Sequence, residues 1–369
     1  MTVAVMEPTR FGPVVSHPAL DRVRAVVDDV IRPAAIRTEA AAVPDTHVTA
    51  LRDAGLFGFA VPAEHGGAAL PADVLVEAME DLAGACPATF LIASQHTTPI
   101  QWILAAGRPE LSALLPALAR GERIGGAAFG HVRTWPGRVT VTAERVSGGW
   151  LFSGVSPWFS GAGLVDTLAL GAVAPAEEAV VLAVVDLPDA RVRAKPLELA
   201  AISGSRTVAL ELTDLFVPDE RVTTTQPIAE WKAQDGTGGA RVSPGALGLA
   251  RAALGDALTR YPDSAALGAL ADEVALLRTL SDGPGSAADA AEPGRDSLYW
   301  RARSVNLAVR ATNAAIVARG GAALLAADRV QLWARAALFL QVRGLSGRVR
   351  EAHLARLAAG SPGWPAPPR

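Results

Sequence analysis

Gly148-Gly149-Trp150-Leu151-Phe152-Ser153-Gly154-Val155-Ser156-Pro157-Trp158-Phe159-Ser160-Gly161 reads as the second arm of a β-hairpin. Just ahead of it, Val139-Thr140-Val141-Thr142-Ala143 alternates apolar and polar residues. Trp150-Leu151-Phe152 then follows the Gly148-Gly149 turn, as the returning strand of a hairpin does. Further on, 168–173, 179–185 and 207–212 are short β-branched runs separated by turn residues. The stretch 121–232 is therefore expected to be an all-β insert, either barrel or sandwich.

Outward of this insert the period changes from strand to helix. In 20–38, Val23, Val26, Val27, Val30 and Ile31 have the spacing of one buried helical face. Helices are also expected at 48–56, 73–82, 91–106 and 111–119, the last ending on Arg120-Gly121, a basic turn before a C-cap glycine. Between them, 59–70 (FAVPAEHGGAAL) is a loop punctuated by proline and glycine. On the C-terminal side, 245–260, 264–280, 297–319, 322–341 and 348–357 are helical, with a polar Gly/Pro-broken connection at 281–295. The proline-bearing tail 360–369 cannot continue a helix. The order is helices, strands, helices. Alternating βα units are missing, which excludes a doubly wound nucleotide-binding sheet. The fold class is α+β, with domains at 1–120, 121–232 and 233–369.

Half of the 369 residues are hydrophobic and 19% are charged, with a formal net charge of -3. No basic excess exists to displace counterions from a nucleic acid. Cys86 is the single cysteine, so an intramolecular disulfide is impossible and a reducing, cytoplasmic home is expected. His17, His47, His65, His96, His131 and His353 show no helical pairing, and neither CxxC nor HExxH occurs, so no zinc site is expected. The run 82–107 lacks charge and is long enough to span a bilayer. Its centre carries Ser94, Gln95, His96, Thr97 and Thr98, groups that lipid would leave unpaired. It reads instead as a soluble helical core beside a polar ligand.

Several motifs resemble the acyl-CoA dehydrogenase superfamily, including its flavin-dependent monooxygenase branch. Leu51-Arg52-Asp53-Ala54-Gly55-Leu56-Phe57-Gly58, running on to Pro62 and His65-Gly66-Gly67, is similar to that family's "L-x-x-x-G-L-x-G-x-x-x-P-x-x-x-G-G" loop. The quoted 148–161 strand is similar to its "G-x-x-L-N-G-x-K-x-W-I-T-N" stretch. Ser205-Arg206-Thr207 with Phe216-Val217-Pro218 resembles a closing strand, and Gly245 to Ala250 with Gly320-Gly321 fall where two C-terminal helices carry matching motifs. The likeness covers nearly the whole chain and implies the family's helical domain, β domain and C-terminal four-helix bundle.

The resemblance implies a flavin cofactor, FAD, with Trp158 against the ring and Ser160 near its N5/O4 edge. A flat indole and a hydroxyl donor are what a ring of that kind needs on its face and at its polar edge. The bland alternative for Trp158 is a core indole. Phe129 and Gly130 fall at a second ring-edge contact, and Gly320, Gly321 and Ser346 are further implied cofactor contacts. The substrate pocket is expected to include Leu91, Gln95, His96, Thr98, Phe339 and Arg343. Among these His96 is the catalytic candidate, set against a hydrogen-bonded core histidine. His131 is either functional or an exposed loop residue, and Arg343 either binds an anionic group or closes a helix.

The family's usual catalytic glutamate aligns with Gly344, and its alternative position with Gly238, leaving Glu230 or Asp235 to take over the role. The segment that grips the FAD diphosphate has no counterpart within 260–280, so FMN or a reduced flavin taken from solution is the alternative cofactor. Three activities follow: atypical CH–CH oxidation of an acyl thioester or other small molecule, oxygenation with reduced flavin and O2, or a non-catalytic binding subunit. A flavin reductase or electron-transfer partner and a homodimer or homotetramer complete the expectation, with no membrane or nucleic-acid partner.

Overall fold

The computed structural model describes residues 4–5, 10–138, 141–235, 242–282 and 287–358. Val139 and Thr140 of the first hairpin arm, Gly238, part of the 281–295 connection and the 360–369 tail lie outside them. Two compact units emerge, one built on Val15–Gln234 and the other on Val5–Val14 with Asp235–Arg369.

Short strands β1 (Ala4–Val5) and β2 (Val15–Ser16) precede α1 (Pro18–Val26). The helix then widens into a π-helical turn over Val27–Ile31 before α2 (Arg32–Ala40). Pro33 explains the widening, because its ring has no N–H and crowds the turn before it. The wider turn selects the buried stripe: Leu20, Val23, Val27, Ile31 and Ala35 are inside, while Val30 points to solvent. Next come α3 (Asp45–Asp53), α4 (Ala72–Ala85), α5 (Pro87–Gln95), α6 (Thr97–Ala106), α7 (Pro109–Ser112) and α8 (Leu115–Ala119). Cys86, extended ahead of Pro87, ends α4. The single helix expected at 91–106 is in fact two, meeting at His96.

The strands β3 (Gly125–Ala128), β4 (Val141–Val146), β5 (Gly149–Phe159), β6 (Thr167–Ala174), β7 (Ala179–Asp186), β8 (Val192–Pro196), β9 (Val208–Pro218) and β10 (Val222–Pro227) form one sheet. Its order is β10-β7-β6-β4-β5-β9-β8, with β3 pairing β6 in parallel. The β4–β5 hairpin closes through Ser147-Gly148, because Val146 pairs with Gly149 and Gly148 takes φ 78°. Strand β6 is buried along its whole length and β7 nearly so, hence their unbroken apolar runs. Val184 of β7 packs among Ile100, Ile103, Leu111, Leu115 and Leu118 of the helices, while Val180 and Leu182 meet Trp231 of α9 (Ile228–Gln234).

In the other unit, α10 (Pro244–Arg260), α11 (Ala265–Arg278), α12 (Ala287–Ala291), α13 (Ser297–Arg319), α14 (Arg329–Val342) and α15 (Gly347–Ala358) are helical. Helix α10 buries Ala246, Ala250, Ala253 and Ala257, and α13, packed on it, buries Ala308, Ala311 and Ala315. Such small side chains let two helix axes approach closely. Glu273 of α11 ties to α13 through Arg303 at 2.8 Å and Arg310 at 2.6 Å. The helix expected from 322 begins only at Arg329, because Gly320 turns the chain with φ 69° and Asp328 accepts from Val330 N–H as a new N-cap.

The loop at Gly66-Gly67 uses its two glycines differently. Gly66 has φ +79° and open space around it, whereas a Cβ on Gly67 would stand 2.0 Å from the Val61 carbonyl oxygen. Gly67→Ala is expected to destabilise the protein by roughly 2–3 kcal/mol through forced backbone displacement. Gly66→Ala should cost about 1 kcal/mol from left-handed strain alone. Urea unfolding of both variants checks this, and equal losses would refute it.

Candidate functional site

Strand β5 ends as Pro157-Trp158-Phe159-Ser160, and alternation sends successive side chains opposite ways. Phe159 is buried at 2% exposure, while the Trp158 indole is 64% exposed. Trp150, Trp231, Trp300 and Trp333 are all buried. Trp158 is thus a surface indole on a rigid strand and not a core residue. Ser160 is buried just beyond it, and its hydroxyl lies 2.7 Å from Thr207 Oγ1. Thr207 Oγ1 lies in turn 2.7 Å from Ser205 Oγ, which is fully buried. The Gly161 N–H donates to the Ser205 carbonyl at 2.9 Å and the Ala162 N–H to that of Arg206 at 3.1 Å, locking the two segments together. Arg206 holds a left-handed φ of 51°, fixed by its guanidinium donating to the Val43 carbonyl and pairing with Asp45 at 2.8 Å. Ser205 and Thr207 were read only as part of a motif. Ser205 ends a 3-10 turn and Arg206 is left-handed, so strand alternation does not reach them and no local pattern marked the two hydroxyls as neighbours.

Phe129 is half-buried, its ring 5.2 Å from Trp102, with the Arg133 guanidinium 5.6 Å from its centroid. Gly130 is exposed at the start of a 3-10 turn. His131, weighed as an exposed loop residue, is buried. Its Nε2 donates to the Gly171 carbonyl at 2.8 Å, and Ser156 Oγ lies 3.2 Å from Nδ1. Burial pushes its pKa down to about 4.

His96 is held as firmly. Its Nε2 donates to the Leu118 carbonyl at 3.1 Å, and its Nδ1 accepts from the Gly125 N–H at 2.9 Å. Protonating Nδ1 would set one N–H against another. Burial pushes the pKa down to about 4 against the help of the Leu118 and Phe57 backbone. The ring packs 4.7 Å from Phe57 and lines a shallow apolar cleft with Leu56, Leu75, Met79 and Ile100. With both ring nitrogens bonded to backbone groups, His96 joins α5, α8 and β3 as a clamp. Leu91 is core, Gln95 donates to the Leu91 carbonyl of its own helix at 3.1 Å, and Thr98 is half-buried.

Phe339, Arg343, Gly344, Ser346, Gly320 and Gly321 belong to the helical unit. Phe339 is half-buried on α14, and Gly320 and Gly321 are exposed. Ser346 is buried and caps α15, accepting from the Val349 N–H at 3.3 Å, so its hydroxyl serves the helix. Arg343 is half-buried, its pKa lowered to about 10 by burial and by Arg301. Gly344 follows the C-cap of α14 with φ +61°, and a Cβ there would stand 3.0 Å from Arg301 Nη2. A helix end of this shape calls for glycine. Glu230 is exposed on α9, and Asp235 is half-buried and partnered. Within 260–280, Arg260 pairs with Asp256 at 3.5 Å and Arg278 donates to the Phe11 carbonyl at 3.1 Å. Neither arginine is presented as a diphosphate grip. The donor set of Trp158 and Ser160 fits the ring end of a flavin. Among the described residues no group of three or more His, Cys, Asp or Glu could hold a metal, and no helix is long and apolar enough to cross a membrane.

Residues 17–122 match the family model "Acyl-CoA dehydrogenase, N-terminal domain". The chain is 28% identical over 238 residues to benzylmalonyl-CoA dehydrogenase of Aromatoleum aromaticum, a match covering 62% of this chain and 63% of that relative. It therefore spans under two thirds of the relative's length. Among solved structures, a glutaryl-coenzyme A dehydrogenase in complex with glutaryl-CoA superposes with TM-score 0.76 at 22% identity, covering 92% of this chain and 94% of that one. A Mycobacterium smegmatis glutaryl-CoA dehydrogenase in complex with FADH2 gives TM-score 0.73 at 17% identity, covering 94% and 95%. The fold expected from the motifs is borne out, and the likeness to acyl-CoA dehydrogenases in the family model extends over residues 17–122.

The two clamped histidines set an acid limit. Their folded pKa values lie below the ordinary 6.5, so the unfolded chain takes up protons that the folded chain refuses. Their stabilisation is complete above about pH 6.5 and drains as pH falls toward 4, by up to about 3 kcal/mol each. His131→Gln should flatten the loss of stability between pH 6.5 and 4.5 in denaturant titrations. A slope matching that of the wild type would refute the assignment.

Proposed function

We infer that this chain, a relative of the acyl-CoA dehydrogenases, is a flavin-dependent oxidoreductase whose ring site is built on Trp158 and Ser160. The observation that carries this reading is the exposed indole on a rigid strand beside a buried hydroxyl. An apolar plane left in water gains by stacking, and a buried hydroxyl gains by meeting an acceptor. Bound there, FAD would supply two-electron transfer to or from a substrate. Trp158 orients the ring by its face, Ser160 anchors the polar edge, and Phe129 and Gly130 offer backbone groups. The named relatives act on coenzyme A thioesters, which supports an acyl thioester as substrate class here. An electron-transfer protein or flavin reductase is the proposed partner, a homodimer or homotetramer the proposed assembly, and the cytoplasm the proposed location.

Residue 344 is a glycine in a left-handed turn, φ +61°, and so offers no carboxylate to act as base. This observation favours a second reading, oxygenase-type chemistry with reduced flavin and O2, which needs no α-proton abstraction from that position.

Titration with FAD, followed by absorbance and fluorescence, tests the ring site. Wild type should bind, and Trp158→Ala should raise the Kd by about three- to tenfold through lost stacking. Anaerobic bleaching by an acyl-CoA would favour thioester oxidation, whereas turnover requiring NADH, a reductase and O2 would favour oxygenation. Protein that ignores both oxidised and reduced FAD would overturn the reading and leave a non-catalytic binding subunit.

A further inference from the structure

Ser160, Thr207 and Ser205 form a chain of hydroxyls, 2.7 Å and 2.7 Å apart, and all three residues are buried. Each hydroxyl owns one proton, and each of the two links uses one. One proton is left over, and its position decides what the site can bind. Were the chain to run inward, Ser160 would donate to Thr207 and Thr207 to Ser205. The spare proton would then sit on Ser205, which is fully buried and whose hydroxyl, among the described residues, meets only Thr207. Were both serines to donate to Thr207, its own proton would lack an acceptor. A buried donor without a partner is the costly case, whereas an unused hydroxyl lone pair is cheap. Running outward, Ser205 donates to Thr207 and Thr207 to Ser160, and the spare proton stands on Ser160, two residues beyond the exposed indole.

We propose that Thr207 and Ser205 are positioning residues that commit Ser160 to donating, so that its partner is a hydrogen-bond acceptor on the bound ring, a carbonyl oxygen or an unprotonated nitrogen. The backbone supports this polarity. Gly161 and Ala162 donate to the carbonyls of Ser205 and Arg206, which holds the two segments together and keeps the three hydroxyls at their spacing. The inference rests on the flavin reading above and adds to it which way the proton points.

The test is FAD binding by full-length wild type, Ser160→Ala, Thr207→Val, Thr207→Ser, Ser205→Ala and the double variant Ser160→Ala/Thr207→Val, with far-UV circular dichroism confirming the fold. Thr207→Val and Ser205→Ala should raise the FAD Kd by about three- to tenfold, the scale of one hydrogen bond, and shift the bound flavin's absorption bands. Thr207→Ser should restore both to within about twofold, since it returns the hydroxyl alone. The double variant should bind no worse than Ser160→Ala, because Thr207 acts through Ser160. Additive losses, no rescue by serine, or an unchanged Kd in both Thr207→Val and Ser205→Ala would overturn the relay while leaving the flavin site standing. Wild type that binds no FAD would overturn both. If Thr207→Val fails to fold, Ser205→Ala carries the same comparison.

Discussion

The register between the ends of β5 and β9 is the constraint on which the site depends. Phe159 pairs with Val208, and the Gly161 and Ala162 N–H groups reach back to the Ser205 and Arg206 carbonyls. A slip of one residue would exchange the faces of Trp158, Phe159 and Ser160. The indole would then be driven into the core and Phe159 into water. Burial of Phe159 at 2% and of Val208 at 7% opposes that slip. The same pairing brings Ser160 and Thr207 together across 47 positions of sequence. Packing energy from apolar neighbours thus fixes the position of polar atoms that contribute little to stability themselves.

Polar groups buried elsewhere in this unit do different work. His96 and His131 sit in apolar surroundings, yet each satisfies a backbone carbonyl and is held neutral. For His96 the reason is visible in its partners: a carbonyl can only accept and an amide N–H can only donate, so a single tautomer fits. That preference specifies where α5, α8 and β3 meet in a way that apolar packing, which lacks direction, could not. In the uncharged stretch 82–107, His96 makes such a junction at the break between α5 and α6, where Ser94 donates to the Leu91 carbonyl and Thr97 to that of Ser94.

The chemistry of the helical unit turns on backbone conformation more than on side-chain choice. Gly344 ends α14 in a left-handed turn, and Arg301 donates to the Arg343 carbonyl at 2.9 Å beside it. A residue with a side chain there would face left-handed strain. Gly344 closes one helix, and Ser346, two positions on, opens the next one as its N-cap. This short link between helices is shaped by capping, which is why its side chains are not free for other roles.

The succession of helices, strands and helices was legible in the sequence because periodicity, turn glycines and caps are local properties. The hairpin at Gly148 and the helix 297–319 came directly from them. Pro99, with no N–H to offer the Gln95 carbonyl, marks locally that 91–106 divides, while the bonds that hold the break at His96 reach residues 22 and 29 positions away. The wider turn that left Val30 outside the buried stripe was not read from spacing alone. The sequence by itself determined which elements form and supplied an indole, three hydroxyls and the glycine at 344. Only the tertiary structure decided that the indole faces outward, that the hydroxyls join in one chain and that the glycine is required by a left-handed turn. Those outcomes depend on strand register and helix-end geometry, which many distant apolar contacts set together and no local stretch encodes.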